Sequence, residues 1–314
     1  YISRRVDVAT FGDISLFSSF FYLTSIPVSG LSRTLSHTTA FLVGKYGRSL
    51  KDVHTQYRPV LYKAAAIAII SWIILSPAAS QLFKVGTLTP FLLFAPVWLT
   101  AIVGSGNAGY LSGNMIFSVM ALSVIIETTV KFGSAAAIIS LGRPELIYAA
   151  ATISLLASFI FETLYISKQS SKTQTVGVSR AESKLSLRFY VTSLLSSLSA
   201  ISYITLDVLL AKTFLSPESA GVYGYLSLAG KMVFFIGSMF SQFVIPYISR
   251  DLGAGKNPRT SFLRLVALVG SANLLAVSVF GFLGSYTAPI LWGSNASLII
   301  PYLPLYTVAM ALFS

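Results

Sequence analysis

The three longest stretches of this sequence free of any charged residue are Ala64–Phe83, Val85–Ile126 and Leu265–Ser314. About 20 apolar residues cross a bilayer as a helix, since in lipid every backbone polar group must be satisfied within the segment. The first stretch has the length of one span, and each of the others has room for two. Charged residues make up 10% of the chain, against about a quarter in an ordinary soluble domain. The expectation is an all-α polytopic membrane protein.

Nine spans are expected, near 14–32, 64–83, 88–108, 115–140, 145–167, 189–211, 219–248, 265–284 and 296–314. Turn-rich pieces separate them: "GSGNAGYLSGN" (104–114), "LGRPE" (141–145), "LSPES" (215–219) and "GSYTAPILWGSN" (284–295). Fifteen of the 22 basic residues fall in three connections, 33–63, 168–188 and 250–264. The span count places all three on one side, and a basic side is the cytoplasmic one. Basic loops then account for the net charge of +12 without nucleic acid. With no cysteine, disulfides and thiolate metal sites are excluded. Starting at Tyr1 and stopping at Ser314 within an apolar run, the sequence reads as an internal piece of a longer chain.

A faint repeat relates "FGDISLFSS" (11–19) to "AGVYGYLSL" (220–228), pairing Gly12 with Gly221 and, at the same shift, Gly44 with Gly253. A parallel duplication into two similar lobes would produce such a pattern.

Charges inside spans are costly and need a partner or a purpose. Asp207, in "ISYITLDVLLAK" (201–212), is one. It reads as a boundary residue, as a helix–helix hydrogen-bonding group, or as a cavity carboxylate carrying a coupling proton or cation. Glu127 and Lys131 share one helix face four residues apart, in the favourable order. They either neutralise each other or line a wet cavity. Lys231 either snorkels to the interface or lines the passage opposite Asp207. Arg33 and His37, one turn apart at the inner end of the first span, read as a positive-inside anchor.

The stretch "LDVLLAKTFLSPESAGVYGYLSLAGKMVFFIGSMFSQFVIPYISR" (206–250) resembles the start of the C-terminal lobe of polysaccharide-lipid flippases. These belong to the multidrug/oligosaccharidyl-lipid/polysaccharide exporter superfamily, which also includes the MATE exporters. The resemblance rests on Asp207 in an apolar helix, then Ser216, Ala220, Gly221 and Tyr223, and finally Pro246, Ser249 and Arg250. "YISRRVDVATFGDISLFSSF" (1–20) resembles the stretch after the family's first helix. The resemblance implies a MATE-like fold of two pseudo-symmetric helical bundles, of which this piece holds about nine helices. Residues 1–167 would form an N-terminal lobe, 168–187 a cytoplasmic linker, and 188–314 the start of a truncated C-terminal lobe. It also implies that Arg33, the basic residue after a Gly-Leu, faces the central cavity.

A flippase for a polyprenyl-phosphate- or diphosphate-linked oligosaccharide is therefore expected, a plasma-membrane monomer working by alternating access. Its partners would be the lipid-linked oligosaccharide and membrane lipids, with no nucleic acid. No cofactor or metal is expected beyond a proton or sodium ion for coupling. Arg33, Lys131 and Lys231 would offer cations to the diphosphate, and His37, Glu127 and Asp207 complete the candidate set. A MATE-type cation-coupled antiporter is the alternative, since it would use the acidic members. A membrane-embedded transferase is the third reading. His37 and His54 are the chain's two histidines, and only His54 has a nearby carboxylate, Asp52, so an enzyme is not expected.

Overall fold

A computed structural model describes residues 8–82, 87–142, 146–170, 177–214, 217–241 and 243–313, with backbone alone at 8–24 and at scattered positions thereafter. Every described element is helical: α1 (Val8–Tyr46), α2 (Asp52–Leu82), α3 (Thr89–Gly113), α4 (Phe117–Ser140), α5 (Tyr148–Ser170), α6 (Leu187–Phe214), α7 (Pro217–Ser241), α8 (Val244–Gly253), α9 (Arg259–Val277), α10 (Gly284–Trp292) and α11 (Leu303–Phe313). Short 3₁₀ turns lie between α10 and α11. Among the described residues, six stretches are long and apolar enough to cross a membrane, and the chain is a multi-pass membrane protein. Arg4, Arg5, Lys84, Arg143 and Ser216 lie outside the described residues.

Contacts divide the chain into one unit of residues 1–197 with 253–255, and a second of 198–252 with 256–314. In the first, α3 is the central helix. Half of its span is buried, against 11% for α4. Small residues permit this: a Cβ on Gly109 would lie 2.5 Å from the Leu35 Cβ, and one on Gly113 2.5 Å from the Thr39 Cβ. Close backbone approach at small residues takes over the packing role that the hydrophobic effect plays in water. Ser36 and Ser112 share a 2.9 Å hydrogen bond along the same seam. Leu35, Leu42, Leu50, Val53 and Leu61 build the core beside it. On α2, Ile67, Ile70 and Ile74 are 65, 57 and 70% exposed; at helical spacing they form the face that lipid covers.

Two departures concern α1 and α2. The connection read as 33–63 contracts to residues 47–51, because both helices continue well beyond the apolar stretch. A helix needs apolar residues only where it meets hydrocarbon, so charged turns extend it into the headgroup region. Arg33 and His37 consequently lie inside α1 rather than at its end. The turn is fixed by Asn114, whose Oδ1 accepts from Leu50 N (2.9 Å) and whose Nδ2 donates to Leu50 O (3.0 Å). The side-chain amide thus stands in for a peptide group.

In the second unit, Val233 of α7 packs with Ala276 and Val277 of α9, and Leu226 and Ala229 pack with Ile299 and Leu303. The span read as 219–248 corresponds to α7 and α8. The span read as 265–284 starts earlier, at Arg259, whose N–H is accepted by Asn257 Oδ1 at 3.0 Å. The last expected span becomes α-helical only at Leu303, after the 3₁₀ turn holding Pro301.

Candidate functional site

Asp207 sits on the part of α6 that belongs to the second unit, and a set of hydroxyls is built around it. Its Oδ2 accepts from Ser227 Oγ at 2.9 Å, Tyr306 Oη at 3.0 Å and Tyr223 Oη at 3.2 Å. Tyr223 and Ser227 are one turn apart on α7, so both face α6, and Tyr306 comes from α11. The two tyrosine rings meet edge to face, with centroids 6.0 Å apart and hydroxyls 3.4 Å apart. Gly230 makes this geometry possible: a Cβ there would overlap the Tyr306 ring. The lack of a side chain lets the ring lie on α7 with its hydroxyl reaching Asp207.

The other oxygen, Oδ1, is buried and has no hydrogen-bond partner among the described residues. Three O–H donors converging on Oδ2 suit an anion, since hydrogen bonds to an ionised group are short and strong. A lone pair on Oδ1 that meets no donor suits a proton or a small cation. Lys231 follows Ser227 by one turn on the same face of α7 and is half-buried. The partners of Asp207 are hydroxyls, and no ion pair joins it to Lys231 among the described residues.

A second constellation lies within the first unit. A cavity of about 260 Å³ opens between α1, α3, α4 and α5. Its walls are small and polar at Ser32, Gly104 and Ser105, aromatic at Phe159, and acidic at Glu127 and Glu162. Ser123 Oγ donates to Glu162 Oε1 at 2.7 Å. Glu127 pairs with Lys131 on its own helix at 3.4 Å. The Lys131 side chain is 50% exposed and does not line the cavity, so the carboxylates face it without their lysine.

The sequence-selected residues divide between the two units. Glu127 and Lys131 meet as the helix spacing requires. Arg33 is half-buried on α1, next to the cavity residue Ser32. His37 stacks on Phe189, with ring centroids 4.3 Å apart and planes 11° apart. Lys131 does not line the cavity, and Lys231 belongs to the second unit. His54 and Asp52 diverge: His54 Nε2 meets Asn107 Oδ1 at 3.3 Å, and Asp52 accepts from Val178 N. Among the described residues no group of three His, Cys, Asp or Glu side chains is placed to hold a metal. The sequence reading did not single out Ser227, Tyr306 or Ser123, and counted Glu162 only among the acidic residues inside the membrane. Tyr223 carried a signal, since it belongs to the Ser-x-x-x-Ala-Gly-x-Tyr pattern.

No family model and no curated protein matches the sequence. Solved structures do match by fold. A MATE complex with MaL6 aligns with a TM-score of 0.74 at 16% identity, over 100% of this chain and 74% of that one. An outward-facing multidrug resistance MATE family transporter of the MOP superfamily aligns at 0.71 and 16%, over 98% and 73%. The eukaryotic MATE transporter AtDTX14 aligns at 0.52 and 13%, over 93% and 70%. At these identities the likeness is one of fold. The chain has the all-helical MATE architecture and spans about three quarters of the length of the first two.

Proposed function

We propose that this chain forms the core of a cation-coupled membrane exporter whose cargo is a lipid-linked oligosaccharide. The observation that carries the coupling is Asp207. A carboxylate deep in an apolar helix is held by three hydroxyls on one oxygen, and the other is buried without a hydrogen-bond partner among the described residues. A proton or sodium ion arriving at Oδ1 neutralises the buried charge. Neutralisation weakens the three charge-assisted bonds that tie α6 to α7 and α11, so the occupancy of one oxygen biases the packing of three helices. The fold is that of transporters, one of them in an outward-facing state, which supports alternating access and gives no support to an enzyme. The cargo rests on the resemblance at residues 206–250, two of whose motif residues, Asp207 and Tyr223, are bonded to each other.

A second reading, an antiporter of organic cations, is favoured by the acidic cavity of the first unit, where Glu127 and Glu162 face small walls and the Phe159 ring. Proteoliposomes separate the two. The assay follows a fluorescent polyprenyl-diphosphate sugar against an external quencher and, in parallel, proton-driven uptake of an ethidium-type cation. Sugar-lipid movement that is abolished in Asp207→Asn and retained in Glu162→Gln supports the flippase. Cation uptake abolished by both substitutions, with no sugar-lipid movement, replaces it with the antiporter. Sugar-lipid movement unaffected by Asp207→Asn removes Asp207 from the coupling role.

A further inference from the structure

The piece of chain ahead of α6 is fastened to two helix ends in a way the exporter reading leaves unused. Residues 178–185 run across the last turn of α1 and the first turns of α2. Gly177, with a φ of +71°, lets the chain turn in at one end. Ser186 ends the crossing by accepting the Phe189 N–H at 3.2 Å and starting α6. Two α2 side chains each grip this segment twice. Gln56 Nε2 donates to Val178 O at 3.1 Å while its Oε1 accepts from Ser183 Oγ. Tyr57 Oη donates to Ser183 O and accepts from Leu185 N, both at 3.2 Å. Asp52 Oδ1 accepts from Val178 N at 3.3 Å. On the α1 side, Lys45 Nζ reaches Glu182 Oε1 at 2.6 Å, and Tyr46 Oη donates to the same carboxylate.

The fastening is specific, yet it is weak in kind. Only Val178 and Ser183 are buried, and Leu185 is half-buried, while Ser179–Glu182 and Lys184 are exposed. The Lys45–Glu182 side chains are 46 and 37% exposed, and exposed ion pairs contribute little and are screened by salt. Segments held by few apolar contacts and water-facing hydrogen bonds open first. What they hold is consequential, because α1 supplies Val28 and Ser32 to the cavity wall.

We propose that residues 178–185 are a releasable strap. Docked, it clamps the adjoining ends of α1 and α2 together; lifted, it frees α1 to move away from the cavity. The proposal rests on the transporter fold and is indifferent to the cargo.

The test uses the full chain in lipid nanodiscs. Because the sequence has no cysteine, a Lys45→Cys, Glu182→Cys pair can be joined by a short reducible thiol cross-linker, with the reduced sample of the same protein as control. Hydrogen exchange is read at α1, at Leu185 and at α4. The cross-link should form in the resting protein and slow exchange across residues 28–46 at least tenfold, leaving α4 unchanged, with the effect reversed on reduction. In a separate protein, Tyr57→Phe should speed the Leu185 amide and the α1 end together. The strap is refuted by a pair that fails to cross-link, by α1 exchange indifferent to the cross-link, or by a Tyr57→Phe effect confined to Leu185.

Discussion

Replacing Asp207 in two ways separates its structural role from its chemical one. Asp207→Ala removes the shared acceptor of Ser227, Tyr223 and Tyr306. The tyrosine hydroxyls, already 3.4 Å apart, can turn towards each other, so part of the loss is recovered. Interhelical hydrogen bonds in membranes average about 0.6 kcal/mol and reach about 1.7, and buried hydroxyls left unpaired cost about 1–3 kcal/mol each. Removing a buried charge offsets some of this. The net expected loss is about 2 kcal/mol. Asp207→Asn keeps an acceptor oxygen for the three hydroxyls and places an amide where Oδ1 meets no partner. Its two N–H groups meet no established acceptor, but the buried charge is gone, so the loss should stay below that of the alanine variant. The asparagine should nonetheless lose all response to a proton or sodium gradient, because a neutral amide takes up neither. Unfolding free energies from denaturant titration in mixed micelles, beside gradient-driven transport in liposomes, measure both quantities. An asparagine variant as unstable as the alanine one, or one still driven by the gradient, refutes the reasoning.

Gly230→Ala places a methyl group in the Tyr306 ring; overpacking costs about 1–3 kcal/mol, and the displaced hydroxyl should weaken coupling as strongly as Tyr306→Phe, measured by the same transport assay. Gly113→Ala pushes on Thr39 across the α1–α3 seam and should cost a similar about 1–3 kcal/mol in micelle unfolding, without altering coupling at Asp207. The strap tether has a pH signature. Its partners, chiefly Lys45, hold the Glu182 carboxyl below the usual carboxylate range, and Glu182 holds the Lys45 ammonium above the usual lysine value. The carboxylate's contribution is therefore present above the ordinary glutamate range and lost as pH falls through its depressed value. The lysine's contribution is present below the ordinary lysine value and lost as pH rises through its raised one. Exchange of the strap amides should be flat across neutral pH once corrected for intrinsic rates, rise at both extremes, and lose the acid limb in Glu182→Gln.

How far the fold could be read in advance depended on which physical signal each feature leaves. Lipid leaves a strong one: absence of charge marked α3 and the apolar stretches of α2 and α9, since hydrocarbon penalises every unpaired ion. Helix ends outside lipid leave almost none, which is why α1 and α2 ran on through residues read as a loop. Glu127 and Lys131 were legible because a pair four residues apart obeys helix geometry alone. The setting of Asp207 was half legible. Its charge stood out in an apolar run, and Tyr223 came with a motif, but Tyr306 lies 99 residues away. Ser123 and Glu162 are joined across 39 residues. Pairings of that kind arise from tertiary packing and leave no local trace.

The Asn114 grip on Leu50 has a consequence for how the protein is made. The turn between the first two helices is completed by a side chain 64 residues further along the chain, at the far end of the third. During synthesis the α1–α2 hairpin therefore enters the membrane with its turn unfinished. Leu50 keeps two unbonded backbone groups until a third helix has been threaded and its end has come back to the same surface. That turn closes only after the helices it joins are already in place, so an early-arrested chain should expose it to a protease that spares the finished protein.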